Sequence, residues 1–194
     1  FMAPMDCPFR VAEAEIAALK KEAKIIIVGW SFSDSTYYGS FLYKNNKLME
    51  LAVADPGMHQ AHAINNSNEV AGWSHVDPSY FHAFLYKNGV IKDLGTLGGN
   101  TSQAYGINER GQVVGYAETE FDTANAFLYE NGEMINLGTL GGITSHAAAI
   151  NKNGQIVGFS ETESGTIHAF LYENGSMTDL GTLGGNTSHA SGIN

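Results

Sequence analysis

The sequence predicts an all-β fold, a β-propeller of about four blades, and three observations carry that expectation. A 43-residue unit recurs four times with no insertion. Each copy holds an Asn-Gly or Asn-Asn pair between two short runs of apolar and aromatic residues. The 194 residues include 23 Gly, 9 Tyr, 10 Phe and 2 Trp, a composition that suits short strands joined by tight turns.

The hairpin Ala83–Gly89 (AFLYKNG) returns at Ala126–Gly132, at Ala169–Gly175 and, with Asn46 in place of the glycine, at Ser40–Asn46. Gly29, Gly72, Gly115 and Gly158 form a second column, and Asn65, Asn108, Asn151 and Asn194 a third. Leu94–Gly99 recurs at Leu137–Gly142 and Leu180–Gly185. Units therefore start near residues 40, 83, 126 and 169. Such regularity marks units that stack because none can bury its apolar faces alone.

Within one copy the first strand is Ala83–Lys87. Asn88-Gly89 then supplies a two-residue turn whose central residues both take positive φ. The second strand is Val90–Leu94, followed by a loop over Gly95–Thr101. The third strand is Ser102–Ile107. Asn108–Gly111 is a second turn, in which the Asn side chain bonds its own backbone and the glycine takes the left-handed conformation. The fourth strand is Gln112–Ala117, and a polar connection, Glu118–Asn125, leads onward. Four strands in a unit of this length is the size of one propeller blade. Phe84 and Tyr86 share a face by the two-residue period and read as packing between blades.

The two ends depart from the pattern. Residues 1–24 lie outside the repeat, and Glu22 stands where the turn column wants Asn. Arg10–Lys24 is rich in Ala, Glu and Lys and reads as a short N-terminal helix over residues 10–24, with Ala12, Ile16, Leu19 and Ala23 along one side. It would cap an edge of the propeller or dock a partner. Ile25–Trp30 matches a fourth strand with nothing before it, and the last copy stops at Asn194 after its third strand. An N-terminal strand that completes the last blade would close a four-blade ring and cover its edges. A piece of a longer protein with more blades is the alternative.

Charge and composition narrow the function. The net charge is −10, and from Gly111 to Asn194 the sole base is Lys152. Binding a phosphate backbone needs a Lys/Arg footprint, so nucleic acid is excluded as the main partner. An anionic membrane surface is disfavoured for the same reason. Cys7 is the single cysteine, which leaves no intrachain disulfide and no cysteine-based metal site. No apolar run approaches the roughly 18 residues that a membrane span requires. The Phe1–Pro8 stretch does not read as a signal peptide.

Catalytic signatures are missing: there is no His-Glu-x-x-His, Walker loop or Gly-x-Ser-x-Gly. His59 and His62 are three apart on a strand and so face opposite sides, which argues against a metal. His82 and His168 share a column with Asn125 and Gly39, and His146 and His189 share one with Gln60 and Gln103; both columns read as polar and structural. Glu118, Glu120, Glu161 and Glu163 lack the Asp/Asn/Gly alternation of a calcium loop and read as solvated acids. Asn100-Thr101-Ser102 and Asn186-Thr187-Ser188 read as turn residues. No catalytic residue, metal or cofactor is expected.

The copies differ most in the connections after the fourth strand. One carries Trp30, Phe32, Tyr37 and Tyr38, and the next carries Trp73, Tyr80 and Phe81. The later two carry Glu118, Glu120 and Asp122, then Glu161 and Glu163. In a ring these connections share a rim, aromatic on one side and acidic on the other. Exposed aromatics with polar neighbours mark contact surfaces, so those seven aromatics are the candidate partner-binding residues. Packing against the N-terminal helix is the structural alternative.

His82-Ala83-Phe84, the Asp93–Gly99 stretch and Gly106–Gly115 make residues 25–194 resemble the bacterial "extracellular repeat, HAF family". The first copy departs from it at Ala52–Met58, and residues 1–24 lie outside it. The resemblance implies propeller-like blades and a secreted or envelope protein, periplasmic or outer-membrane-associated. It supplies no catalytic residues, and it implies partners that are other subunits of an envelope assembly, secretion machinery included. The reading is thus a non-catalytic scaffold for protein–protein contacts. A carbohydrate-binding surface protein is the alternative, because Trp and Tyr also stack on sugars. A propeller hydrolase or lyase comes last, since the sequence names no converging acids or His–acid pair.

Overall fold

The Asn-Gly pairs adopt the backbone their chemistry favours. Asn88 and Gly89 have φ of 53° and 84°, Asn131 and Gly132 54° and 92°, and Asn174 and Gly175 52° and 78°. Asparagine tolerates this region through its short polar side chain and glycine through the lack of a Cβ, so each pair closes a tight antiparallel hairpin. The structure, a computed structural model, describes residues 26–33, 37–44, 46–51 and 59–194. The helix expected over residues 10–24 lies outside these.

The described residues form fifteen strands and no helix. Sheet 1 holds β1 (Ile26–Ser33), β2 (Tyr37–Lys44) and β3 (Lys47–Glu50). Sheet 2 holds β4 (His59–Ile64), β5 (Val70–His75), β6 (Phe81–Lys87) and β7 (Val90–Asp93). Sheet 3 holds β8 (Gly98–Ile107), β9 (Val113–Thr119), β10 (Ala124–Glu130) and β11 (Glu133–Asn136). Sheet 4 holds β12 (Gly141–Ile150), β13 (Ile156–Thr162), β14 (Ile167–Glu173) and β15 (Ser176–Asp179). Every pairing between these strands is antiparallel and between sequence neighbours.

Two boundaries move from expectation. β8 begins at Gly98 and β12 at Gly141, so much of the expected Gly95–Thr101 loop is strand. The sheets also start at the third strand of a copy. Sheets 2, 3 and 4 each join the third and fourth strands of one copy to the first and second of the next, and sheet 1 joins a fourth strand to a first and second, because the connection after the fourth strand is a tight hairpin that pairs its flanks. The Leu94–Leu97 stretch, in contrast, carries the chain from the outer strand of one sheet to the first strand of the next.

The sheets pack in series. β1 and β2 lie on β4, β5 and β6 on β8, and β9 and β10 on β12. β4, β8 and β12 stand side by side at the inner edge. The expected closing of the ring is not made among the described residues. β1 pairs with β2 inside sheet 1, and residues 188–194 lie along sheet 4, with the Ala190 amide donating to the Gly158 carbonyl at 3.3 Å. Ring closure would require β1 to pair with a partner beyond its own sheet, and among the described residues its register is filled on one side alone.

Three apolar clusters fill the seams. One joins Leu42, Leu51, Val70 and Phe84, the next Ala71, Leu94, Val113 and Phe127, and the third Val114, Leu137, Ile156 and Phe170. Phe84, Phe127 and Phe170 are fully buried, each contributing about 2–3 kcal/mol through removal of its ring from water. Tyr86 packs half-buried against the first cluster, as the period-two reading of Phe84 and Tyr86 implies. Gly72, Gly115 and Gly158 are fixed by proximity: a Cβ there would strike the carbonyls of Gln60, Gln103 and His146 on the adjacent strand.

Polar columns lock the series. The Asn108 side-chain oxygen accepts from the amides of Arg110 and Gln112 at 3.0 and 3.1 Å, tying its own turn. Its amide group donates to Gln112 Oε1 at 2.6 Å and to the Asn151 carbonyl, one copy on, at 3.0 Å. Asn65 reaches the Asn108 carbonyl and Asn151 the Asn194 carbonyl in the same way, at 3.0 and 2.9 Å. A second column uses serine: Ser102, Ser145 and Ser188 accept from the amides of Ala83, Ala126 and Ala169, each at 2.8 Å. His59 takes the serine's place in the first copy, and its Nδ1 accepts from the Ser40 amide at 3.1 Å. That bond, with burial, explains why His59 is structural.

Candidate functional site

The hairpins β5–β6, β9–β10 and β13–β14 occupy equivalent positions in successive sheets and form the rim where the copies differ. In the first, Asp77 Oδ1 accepts from the amides of Ser79 and Tyr80 at 2.6 and 2.9 Å, while the Val76 amide donates to the Tyr80 carbonyl at 3.0 Å. This tight turn, held by a side chain that mimics backbone, leaves Val76 and Tyr80 exposed at the tip. Beneath it Trp73, His75 and Phe81 form an edge-to-face cluster, with Trp73 and Phe81 centroids 5.3 Å apart.

The structure thus separates the sequence candidates. Tyr80 lies on a connection and is exposed. Trp73 lies within β5 and Phe81 opens β6, both half-buried, so they support the hairpin instead of crowning it. Trp30 and Phe32 fall in β1, and Tyr37 and Tyr38 in β2, with Phe32 opposite Tyr38; strand and not connection is the setting of all four, and their side chains lie outside the described set. The expectation placed them on connections because it ended the fourth strand too early.

In the second hairpin Phe121 is 77% exposed, between Glu120 and Asp122. It was missed because the acids around it dominated the reading; an apolar ring alone between two acids in a turn is the signal. Asp122 sits at φ 56°, and Thr119 and Thr123 bond through their hydroxyls at 2.8 Å. The third hairpin carries Glu163 and Ser164, both exposed, over hydroxyl pairs among Thr162, Ser164 and Thr166.

Glu118 and Glu161 are not free solvated acids. Glu118 Oε2 accepts from the amides of Asn100 and Thr101, each at 3.1 Å, and Glu161 Oε2 accepts from Ile143 at 3.0 Å. They hold the start of the inner strand.

Sequence reasoning also missed two His–acid pairs. His82 Nδ1 lies 2.9 Å from Asp93, and His168 Nδ1 lies 2.8 Å from Asp179, with Asn125 and Asn136 in the third copy. The 11-residue spacing repeated in one column was the legible signal. Asp179 also accepts from the Gly181 amide at 2.7 Å, and that bond, followed by His168, holds its carboxyl below the usual range. Asp93 binds Gly95 in the same way at 2.8 Å. Thr166 Oγ1 sits 3.3 Å from His168 Nε2 but is also bonded to Thr162 at 2.8 Å. These pairs bolt the hairpin to the crossing. A cleft of about 480 Å³ opens beside the His168–Asp179 pair, lined also by Leu140, Thr162, Glu163 and Ser164.

At the inner edge a row of rings crosses the two seams among sheets 2, 3 and 4. His62 stacks on Tyr105 at 5.2 Å, Tyr116 meets His146 at 4.4 Å, and His146 lies nearly parallel to Phe159 at 4.8 Å. Burial pushes Tyr116 up to about 12 and holds His146 and His62 below the ordinary imidazole value. His59 and His62 do not converge on a metal: His62 Nδ1 contacts the Ala104 carbonyl at 3.0 Å while His59 binds Ser40. Among the described residues no group of three metal-binding side chains forms.

No family model and no curated protein matches the chain. Among solved structures it is similar to the crystal structure of TolB from Acinetobacter baumannii, with a TM-score of 0.60 and 13% identity. The match covers 84% of this chain and 42% of that one. The fold is β-propeller-like. Serial four-stranded antiparallel sheets packed face to face, as in sheets 2, 3 and 4, are the features of that architecture.

Proposed function

We propose that the chain is a non-catalytic propeller scaffold that holds other proteins in a bacterial envelope or surface assembly. The observation that carries this reading is the rim: Val76, Tyr80 and Phe121 stand exposed on rigid hairpins whose own polar groups are already satisfied within each turn. Rigid, apolar tips ringed by acids suit a protein contact. The resemblance to the HAF-type extracellular repeat supports the envelope setting, and an outer-membrane secretion complex is the finer form of the same reading.

The test is a photo-reactive amino acid placed at position 80 or 121 in cells that express the protein, with position 133 on the outer strand as control. Adducts of one defined mass at the rim positions, missing at 133, are expected, and fractionation should place them with the envelope. Equal, diffuse labelling at all three positions would refute the scaffold reading.

A second reading, carbohydrate binding, is favoured by the cleft, whose hydroxyls, imidazole and carboxylates offer mixed donors and acceptors to a polyol. Titration of the protein against a panel of glycans tests it, and Asp179→Ala should abolish any binding found there.

A further inference from the structure

The two ends of the strands carry opposite chemistry. At the rim, each exposed apolar side chain stands beside carboxylates. Phe121, 77% exposed, lies between Glu120 and Asp122, both exposed. Ile143, 65% exposed, lies near the start of β12 beside the third hairpin, where its amide donates to Glu161 and where Glu163 is exposed. Val76 and Tyr80 flank the exposed Asp77.

Two of these apolar residues break their columns. Asparagine holds the place of Ile143 in the neighbouring copies, at 100 and 186, and Pro78 and Ser164 hold the place of Phe121. Neither Phe121 nor Ile143 joins a seam cluster, so packing of the sheets does not account for them. An exposed ring and an exposed branched chain, set where the repeat otherwise places polar or turn residues, are contact surface.

The bases lie elsewhere. Lys44 and Lys87 end β2 and β6, Lys47 begins β3, Arg110 lies between β8 and β9, and Lys152 lies between β12 and β13. All five are at the end of the strands opposite the rim. Lys92 sits in the outer strand β7, over the Tyr129 ring. The ion pairs among the described residues use Glu69, Asp93 and Asp179, and leave Glu120, Asp122 and Glu163 without a countercharge. A purely apolar partner closing on Phe121 would strip water from these carboxylates and return nothing. A partner that brings ammonium or guanidinium groups pairs each of them as the apolar surfaces meet. A nucleic acid or an anionic lipid surface would be repelled by the same groups.

We propose that the rim takes a segment of a partner protein in which Lys or Arg alternates with apolar residues. Its apolar side chains meet Tyr80, Phe121 and Ile143, and its bases meet Glu120, Asp122 and Glu163. The inference rests on the scaffold reading and gives the partner its chemistry.

The experiment measures fluorescence anisotropy of three labelled peptides on the full chain: alternating Lys and Leu, alternating Lys and Ser, and alternating Glu and Leu. The Lys–Leu peptide is expected to bind, more weakly as salt rises. Replacing its Leu by Ser should raise the dissociation constant about tenfold, and so should Phe121→Ser or Ile143→Ser in the protein. Glu120→Gln with Asp122→Asn should weaken binding by a similar factor. Asparagine accepts the positive φ of position 122, so that variant keeps its turn and its melting midpoint. Lys152→Gln, at the far end, should change nothing. Equal binding of the Glu–Leu peptide would overturn the proposal. So would Lys–Leu binding that both Phe121→Ser and Ile143→Ser leave unchanged, since that is attraction to net charge alone.

Cross-linking in cells from a photo-reactive residue at position 80 separates this inference from the reading beneath it. The defined adduct should be lost from the Glu120→Gln, Asp122→Asn variant. An adduct that survives there leaves the scaffold standing and removes the basic partner. An adduct of two chains, or a link back to the basic Arg10–Lys24 stretch of the same chain, also overturns it. No defined adduct from the unaltered rim removes the scaffold reading and this inference together.

Discussion

The seams between sheets and the rim above them follow opposite rules. In the seams each copy repeats the same residues: glycine at 72, 115 and 158, phenylalanine at 84, 127 and 170, asparagine at 65, 108 and 151. On the rim the same three copies carry Val76 and Tyr80, then Phe121, then Glu163 and Ser164. The difference teaches where the fold constrains the sequence. A Cβ in the glycine column would strike a carbonyl, and an asparagine lost would unpair several buried groups. At a hairpin tip, Asp77 or a threonine pair satisfies the turn, and the remaining side chains face water.

Four substitutions or conditions probe that contrast, from the largest expected effect to the smallest. Gly115→Ala forces a methyl onto the Gln103 carbonyl and should destabilise the fold by about 3 kcal/mol, read by chemical denaturation. Asn108→Ala removes the bonds to Arg110, Gln112 and Asn151 and should cost about 2 kcal/mol, seen as a lower denaturation midpoint. A cost no larger than that of a rim substitution would erase the distinction between seam and tip.

The third probe is acid. Burial is the leading cause that holds His59, His62 and His146 below the ordinary value of 6.5. The unfolded chain therefore takes up their protons first as pH falls. Stability should be full above about pH 6.5 and decline below it, because the unfolded state then binds more protons. Thermal midpoints at pH 7.5 and 5.5 measure the effect, and His146→Phe should flatten it; a stability that rises on acidification would contradict the burial argument. The smallest effect belongs to Phe121→Ser, which should leave stability within about 0.5 kcal/mol while abolishing cross-linking through the rim.

The period, the hairpin turns and the buried face of the first strand were legible from sequence because each rests on local chemistry. Asn88-Gly89 needs its backbone whatever surrounds it, and Phe84 with Tyr86 needs one face. Which strands share a sheet was not legible, since a repeat fixes spacing and not phase; the short β5–β6 and β9–β10 hairpins decide it. The setting of the candidate aromatics was legible only residue by residue. Tyr80 is exposed on its hairpin, whereas Trp73 and Phe81 support it from below, because the fourth strand runs further than its apolar residues indicate. Phe121 and the His82–Asp93 and His168–Asp179 pairs emerged from folding: residues 11 apart meet only once β6–β7 and β14–β15 have closed.

The asparagine column has a consequence for how such a protein changes length. Each of these side chains knots its own turn and hands one bond to the identical position downstream, so every unit reads only its immediate neighbours. Gene duplication or deletion in whole multiples of 43 codons would leave that relay intact. A change of any other size inside the array would put a wrong residue into the chain of handovers, and the cost would fall on the two units flanking the break.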